Sequence, residues 1–467
     1  MATTITLWHL SATQLVDGFR DRAFTPDDAL QACLARTAAV NPKLNALAVL
    51  DAEGAAHAAA ASTARWRAGQ ALGPLDGVPI TVKDSLHVRG LPTRCGSAAL
   101  DGLVATVDET PVARLRDAGA VIFGKTNVPE FAMQGYTAST LQGVTGNPWN
   151  PALTPGGSSG GAVALVAAGG CPLALAQDGG GSIRRPASHT NLVGFKPSRH
   201  RVPRAGGIPK LYLDYEVLGP LARCVDDVVS AMQVIGRDPV REPAPRPARV
   251  LYIPRFADHP VDPQIAALTD AAAAHFAALG HHVETAPRFD LAEAIHETWT
   301  LLPQVGLAWL LEHPSQLSDR PFVEPRLGPA MQANAQAGRE ASARTLFDLL
   351  IEVERLRSEI DRLFERYDFL LTPAAAALPW PAEQTHPPRI AGLDVGPRGH
   401  AVFTAFANAA GLPGIALPCG WADAEGPPSG RMPVGLQLIA RQGHDDALFA
   451  PAREYERAHP WLRFPQL

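Results

Sequence analysis

Two glycine–serine clusters are the residues in this sequence best suited to chemistry: Gly156-Gly157-Ser158-Ser159-Gly160-Gly161 and Gly179-Gly180-Gly181-Ser182. Glycine lets a backbone approach a ligand closely and adopt dihedrals that other residues avoid, so each cluster can bring N–H groups and a hydroxyl to one point. Two such clusters converging on one place suggest a catalytic pocket. The plainer reading is a pair of glycine-rich turns that merely permit tight helix packing. Two short motifs compete with the pocket. Gly156-Gly157-Ser158-Ser159-Gly160 fits the GxSxG nucleophile elbow, but an elbow must follow a strand, and the prolines Pro148, Pro151 and Pro155 disfavour one here. Gly119 to Thr126 fits the phosphate-loop pattern GxxxxGK[ST], which makes a nucleotide-binding enzyme the alternative from another class. Its intervening Ala120 to Phe123 reads as an apolar strand instead of a loop with inward N–H groups.

The surrounding elements alternate as in an α/β protein. Ser11 with Gln14 forms a capping-box pattern, Thr25 before Pro26 starts a second helix, and the alanine-rich stretch from Asp51 to Gln70 predicts a third. Gly77 to Lys83 reads as a turn feeding a short buried strand that ends at Lys83. A proline-started helix over 110–118 precedes the strand 120–123. Ser159 to Ala168 is small and apolar enough for a tightly buried helix, and the strand 172–176 runs into Asp178 and the second glycine cluster. Arg237 to Arg249 holds four prolines and reads as a linker or surface crossing. Leu346, Leu349, Leu350, Val353, Leu356, Ile360, Leu363 and Phe364 carry helical spacing, and 368–373 reads as a strand. Residues 380–400 and 420–433 read as Pro/Gly-rich loops.

With 467 residues, 46% of them hydrophobic and 19% charged, the chain can bury a large core. The formal charge of -5 comes without a long basic run, which argues against a nucleic-acid or anionic-membrane surface. No signal-peptide pattern opens the chain and no stretch of about 20 apolar residues follows, so the cytoplasm is the expected location. The cysteines Cys33, Cys95, Cys171, Cys224 and Cys419 are odd in number and lack any CxxC pair, as expected of reduced core residues. No HExxH or histidine-rich spacing marks a metal site.

Taken together, Gly157-Ser158-Ser159-Gly160-Gly161, Asp178-Gly-Gly-Gly-Ser182-Ile-Arg184 and Pro186-Ala187 resemble the signature of the amidase signature family. The resemblance continues through Gly77 to Asp84, Gly124 to Phe131, Gly194 to Ser198, Gly219-Pro220 and Pro433 to Gln437. It is most specific over residues 75–230, weaker over 365–455, and carries little over 240–345. It implies one α/β/α domain over 1–467 around a large mixed, twisted sheet, with a signature core at 75–230. Residues 240–345 would be a variable substrate-capping region and 365–455 the C-terminal part of the same domain.

The resemblance also implies a relay of Lys83, Ser158 and the nucleophile Ser182, with a cis peptide before Ser158. The N–H groups of Gly179, Gly180, Gly181 and Ser182 would form the oxyanion hole, and Asp178 and Arg184 would pair to hold their loop. A lysine at its ordinary pKa of about 10.4 stays protonated at neutral pH, so burial must lower it before it can act as a base. No metal or organic cofactor is implied. Gln177, Arg185 and His189-Thr190-Asn191 depart from commoner family patterns, which leaves Arg185 open as a substrate contact or a surface charge.

The expected activity is hydrolysis of small or aryl amides, extending to aryl carbamates or esters as in aryl acylamidase and urethane-cleaving members. Phe131, Ala132, Met133 and Gln134 are expected to border the acyl side. Trp299, Leu302, Trp309 and Phe322, within the 290–345 cap, are candidates for an apolar pocket, although core packing explains such residues equally well. The expected partners are a small-molecule amide, ester or carbamate, without nucleic acid or membrane, and a homodimer at family level. The alternative within the family is the A subunit of a tRNA-dependent amidotransferase, which Glu130-Phe131-Ala132-Met133 resembles and the following Gln134-Gly-Tyr-Thr-Ala resembles less.

Overall fold

Helix starts fall where their caps predict. Ser11 and Gln14 exchange hydrogen bonds to close a capping box on the helix Ala12–Arg20. Thr25 and Asp28 do the same on Pro26–Leu44, and Asp51 caps Ala52–Ala68. The computed structural model describes residues 6–286, 288–317, 326–424, 430–461 and 464–467.

These elements surround a mixed sheet of 11 strands, which makes the protein α/β. At its functional end, Val121–Thr126, Pro79–Lys83 and Leu173–Asp178 run parallel side by side. Val217–Ala222, Val193–Lys196 and Gly414–Asp423 continue the sheet antiparallel. Arg431–Ala440, Phe369–Pro373, Arg249–Tyr252 and His282–Thr285 follow, the last three parallel to one another, and Leu47–Leu50, antiparallel to Val121–Thr126, closes the opposite edge. Both faces of the central strands are buried. Leu173 and Leu175 pack into one core with Val112, Leu115, Val225 and Val228, while Ala174 and Ala176 pack into another with the small helix Gly160–Ala167. Alanine on the second face lets that helix lie close against the sheet.

Several local expectations need correction. The strand predicted over 120–123 runs from Val121 to Thr126, so Gly124 and Lys125 are strand residues and no phosphate loop exists there. Lys125 is fully buried, with Nζ 2.9 Å from Asp84 Oδ1. Residues 154–159 form no strand leading into Ser158, which removes the nucleophile elbow. The predicted loop 420–433 is largely sheet: Gly414–Asp423 pairs with Arg431–Ala440, and a register shift between Pro418 and Gly420 absorbs the irregularity. The loop 380–400 holds a small hairpin of Arg389–Ile390 with Leu393–Asp394. On the helix Ala343–Arg366, Leu349, Val353, Leu356, Ile360 and Phe364 are buried, but Leu350 is 43% exposed, beyond the edge of the apolar stripe. Among the described residues no helix is long and apolar enough to cross a membrane.

Candidate active site

Lys83 and Asp178 end neighbouring parallel strands, aligned with Ile80 opposite Leu173 and Val82 opposite Leu175, so both chains leave the sheet at one edge. That edge is where ligands commonly bind in α/β sheets. Lys83 is fully buried. Its Nζ donates to Ser158 Oγ at 2.7 Å, Ser159 Oγ at 3.0 Å and the Gln177 carbonyl at 3.2 Å. Burial pushes the Lys83 ammonium down to about 7, with only partial opposition from Asp178. The amine can therefore exchange a proton near neutral pH. The Gly157-Ser158 peptide is cis.

The second cluster leaves the strand at Asp178 and turns into the short helix Arg184–Thr190. Asp178 organises the turn: Oδ1 accepts from Gly181 N at 2.6 Å and Oδ2 from Ile183 N at 3.1 Å. Arg184 donates to both oxygens of Asp178, at 3.1 Å each. Arg184 also donates to Gln437 Oε1 at 3.0 Å, Asn408 Oδ1 at 2.6 Å and the Thr404 carbonyl at 3.1 Å. Burial alone would raise the Asp178 carboxyl, but Arg184, followed by Lys196 and Asn408, outweighs it and holds the group below the usual carboxylate range. Ser182 sits at the end of this turn, 7% exposed. Among the described residues no side-chain hydrogen bond joins Ser182 to Ser158, whose Oγ is taken by Lys83. Such links are often open before substrate tightens the site.

The pocket residues read from the sequence differ in burial. Phe131 and Ala132 lie in a left-handed turn, at φ 51° and 57°, and are buried, whereas Met133 and Gln134 are half-buried. Trp309 must be corrected: it is 43% exposed and stacks on His313 at 4.5 Å, on the outward face of the helix Leu301–Glu312. Leu302 is core, and Phe322 lies outside the described residues. Trp299 instead reaches the glycine turn, where a methyl group on Gly180 would fall 2.8 Å from its Nε1. Tyr212 and Tyr215 stack with Trp299 at 5.9 and 5.5 Å.

Arg185 is not a surface charge, being only 5% exposed. It donates to the Gly180 carbonyl at 2.7 Å and to Thr404 Oγ1 at 3.2 Å. Thr404 and Asn408 were missed by sequence reasoning, because neither carries a local signal. Gln437 was visible only as part of the family pattern.

Comparison with known proteins identifies the family. A sequence model of the Amidase family matches residues 28–449. The A subunit of the glutamyl-tRNA(Gln) amidotransferase from Synechococcus sp. (strain RCC307) is 35% identical, over 95% of this chain and 96% of its own. Its counterpart from Picosynechococcus sp. (strain ATCC 27264 / PCC 7002 / PR-6) is 33% identical, over 92% and 94%. Among solved structures, a bacterial aryl acylamidase of the amidase signature family superposes with a TM-score of 0.87 at 27% identity, covering 97% of this chain and 96% of that one. The 6-aminohexanoate cyclic dimer hydrolase complexed with substrate also reaches 0.87, at 28% identity and 99% of both chains.

The relatives named as amidotransferase subunits overturn the partner expectation of a small-molecule substrate alone, without nucleic acid. Net charge could not have revealed this, since it reports on a surface that grips RNA directly and not on a place within an assembly. The Amidase match over most of the chain, with relatives above 30% identity along nearly all of it, shows that this protein belongs to the amidase signature family of enzymes acting on carbon–nitrogen bonds.

Proposed function

We propose that the protein cleaves an amide C–N bond through an acyl-enzyme on Ser182. The observation that carries this reading is the buried Lys83, with Nζ 2.7 Å from Ser158 Oγ and its pKa pushed down to about 7. Neutral Lys83 takes the Ser158 proton as Ser158 takes that of Ser182, and Ser182 Oγ attacks the amide carbon. The tetrahedral oxyanion is held by backbone N–H groups of the glycine turn. Gly181 N–H is already given to Asp178, so Gly179, Gly180 and Ser182 are the donors this reading uses. The proton returns through Ser158 to the leaving nitrogen, which cannot depart unprotonated. Water then releases the acyl group by the same relay in reverse.

The curated relatives, named as A subunits of a glutamyl-tRNA(Gln) amidotransferase, support a place for the chain as the amide-cleaving component of an amidotransferase, for which glutamine is the amide to test. A second reading, an aryl amide or carbamate, is favoured by the aromatic wall of Trp299, Tyr212 and Tyr215 beside Gly180. The test is ammonia or amine release from glutamine, a 4-nitroanilide and a matched N-aryl carbamate, with mass detection of an adduct on Ser182. Tenfold or greater preference for glutamine favours the amidotransferase reading, and the same preference for the anilide or the carbamate favours the second. An adduct at another residue, with activity kept in Ser182→Ala, overturns the relay.

A further inference from the structure

Glu130 is a carboxylate that the relay does not use, 7% exposed, and among the described residues no cation pairs with it. Its Oε1 accepts from Ser97 Oγ at 2.5 Å, and Gly328 N donates to Oε2 at 3.0 Å. Burial pushes the carboxyl up, with only partial opposition from these two donors. Neutral donors offset part of the cost of burying such a group. What the carboxylate supplies is a joint between three segments remote in sequence. Gly328 immediately precedes the helix Pro329–Glu340, whose N-terminus favours negative charge. A methyl group on Gly328 would fall 2.6 Å from Glu130 Oε2, so glycine leaves the carboxylate its room.

From Glu130 two routes lead to the site. Along the chain, Thr137 Oγ1 donates to the Gly156 carbonyl at 2.9 Å and accepts from Gly160 N at 3.1 Å. A methyl group on Gly157 would fall 2.5 Å from the Tyr136 carbonyl oxygen, so residues 130–137 are pinned to the turn that carries Ser158. The other route passes through two helices. Gln304 Nε2 donates to Asn334 Oδ1 at 2.9 Å, and Gly338 lies against the Gln304 carbonyl, so Pro329–Glu340 packs closely on Leu301–Glu312. That second helix starts two residues after Trp299, which lies against Gly180. Phe131, Trp299, Leu307, Leu310, Met331 and Ala335 share one core.

We propose that Glu130 is a positioning residue that closes a ring of contacts around the site, holding Trp299 at a set distance from the Ser158 turn and so fixing the space open to a substrate at Ser182. The effect on substrates rests on the amide-cleavage reading, whereas the ring does not. The Lys83–Ser158 bond does not pass through the joint, so its loss should loosen substrate binding and spare the chemical step.

The experiment reads the joint by hydrogen exchange and its effect by kinetics, both on the full chain. Glu130→Ala is expected to speed amide exchange in 329–340 and 301–312 by about tenfold or more, while 79–83 stays within about twofold of the parent. On a series of 4-nitroanilides from acetyl to hexanoyl, it is expected to raise KM about tenfold and change kcat less than about threefold. Glu130→Gln keeps an acceptor for Gly328 N and should stay within about threefold of the parent in both readouts. Gly328→Ala, whose methyl group meets Oε2, breaks the joint from the other side and should reproduce Glu130→Ala. It decides the matter if Glu130→Ala melts early. The proposal is overturned if exchange in 329–340 is unchanged in the folded variants, or if kcat falls while KM holds. Release of no amine by the parent protein from any amide would instead sink the cleavage reading, and the exchange measurement would still decide the joint.

Discussion

Lys83 and Ser158 stand 75 positions apart in the chain, yet their Nζ and Oγ atoms lie 2.7 Å apart in a site closed to solvent. The contact joins the end of a strand to a glycine-rich turn, so it exists only when the sheet edge is built. Burial pushes the Lys83 ammonium down to about 7, so near neutral pH the group passes between ammonium and free amine.

Activity should therefore rise with pH. The neutral amine is the competent base, so kcat/KM should climb with a midpoint near 7 and level off above it. Stability should move in the same direction. Lys83 titrates lower in the folded state than the ordinary value of about 10.4, so the unfolded chain binds more protons between those values and stability grows from pH 7 toward 10. Below pH 7 both states are protonated and this contribution stays flat. A pH–rate profile beside urea melts at pH 6, 8 and 9.5 checks both, and Lys83→Met should remove the rate midpoint.

Loss of the base should discriminate between leaving groups. Lys83→Ala should lower amide turnover by roughly 10²–10⁴, the usual contribution of general acid–base catalysis. A matched 4-nitrophenyl ester, whose leaving group departs as an anion, should lose far less. Equal losses on both would assign Lys83 to architecture alone.

Ser182→Ala should abolish turnover while leaving the circular dichroism and melting temperature unchanged, because among the described residues the Ser182 side chain makes no hydrogen bond that supports the fold. A fluorophosphonate should label the parent protein at Ser182 and not label the variant. Labelling at Ser159 would redirect the chemistry to the other cluster.

The Asp178–Arg184 pair should matter more to stability than any surface pair. Both side chains are fully buried. Asp178→Asn leaves the guanidinium without its counter-charge and should destabilise the protein by about 3–5 kcal/mol in urea unfolding. Asp17→Asn, which breaks an exposed pair with Arg20, should change stability by less than about 1 kcal/mol.

The sequence made local features readable and long-range ones opaque. The strand ending at Lys83, the buried helix after Ser159 and the early caps all follow from neighbours a few residues away. The identity of the aromatic wall does not. Trp299 and Trp309 look interchangeable in composition, but one turns toward Gly180 and the other toward solvent, a difference set by how two consecutive helices pack. Asn408 binds Asp178 across 230 positions, and no periodicity encodes such a contact. Gln437 was visible through family resemblance, although its task, accepting from Arg184 while donating to the Phe403 carbonyl, required coordinates. Arg185 was marked by its departure from the common pattern, but burial decided between its two readings.

The clamp on Asp178 also has a consequence for the newborn protein. Lys83, Ser158 and Ser182 all leave the ribosome well before Thr404, Asn408 and Gln437, which complete the Arg184 network. At ~5–20 residues per second, Asn408 is added roughly 20–80 s after synthesis begins. Until then a translating chain carries these residues beside a turn whose arginine lacks three of its four partner residues. A chain stalled before that point therefore contains Lys83, Ser158 and Ser182 but lacks the residues that complete the Arg184 network.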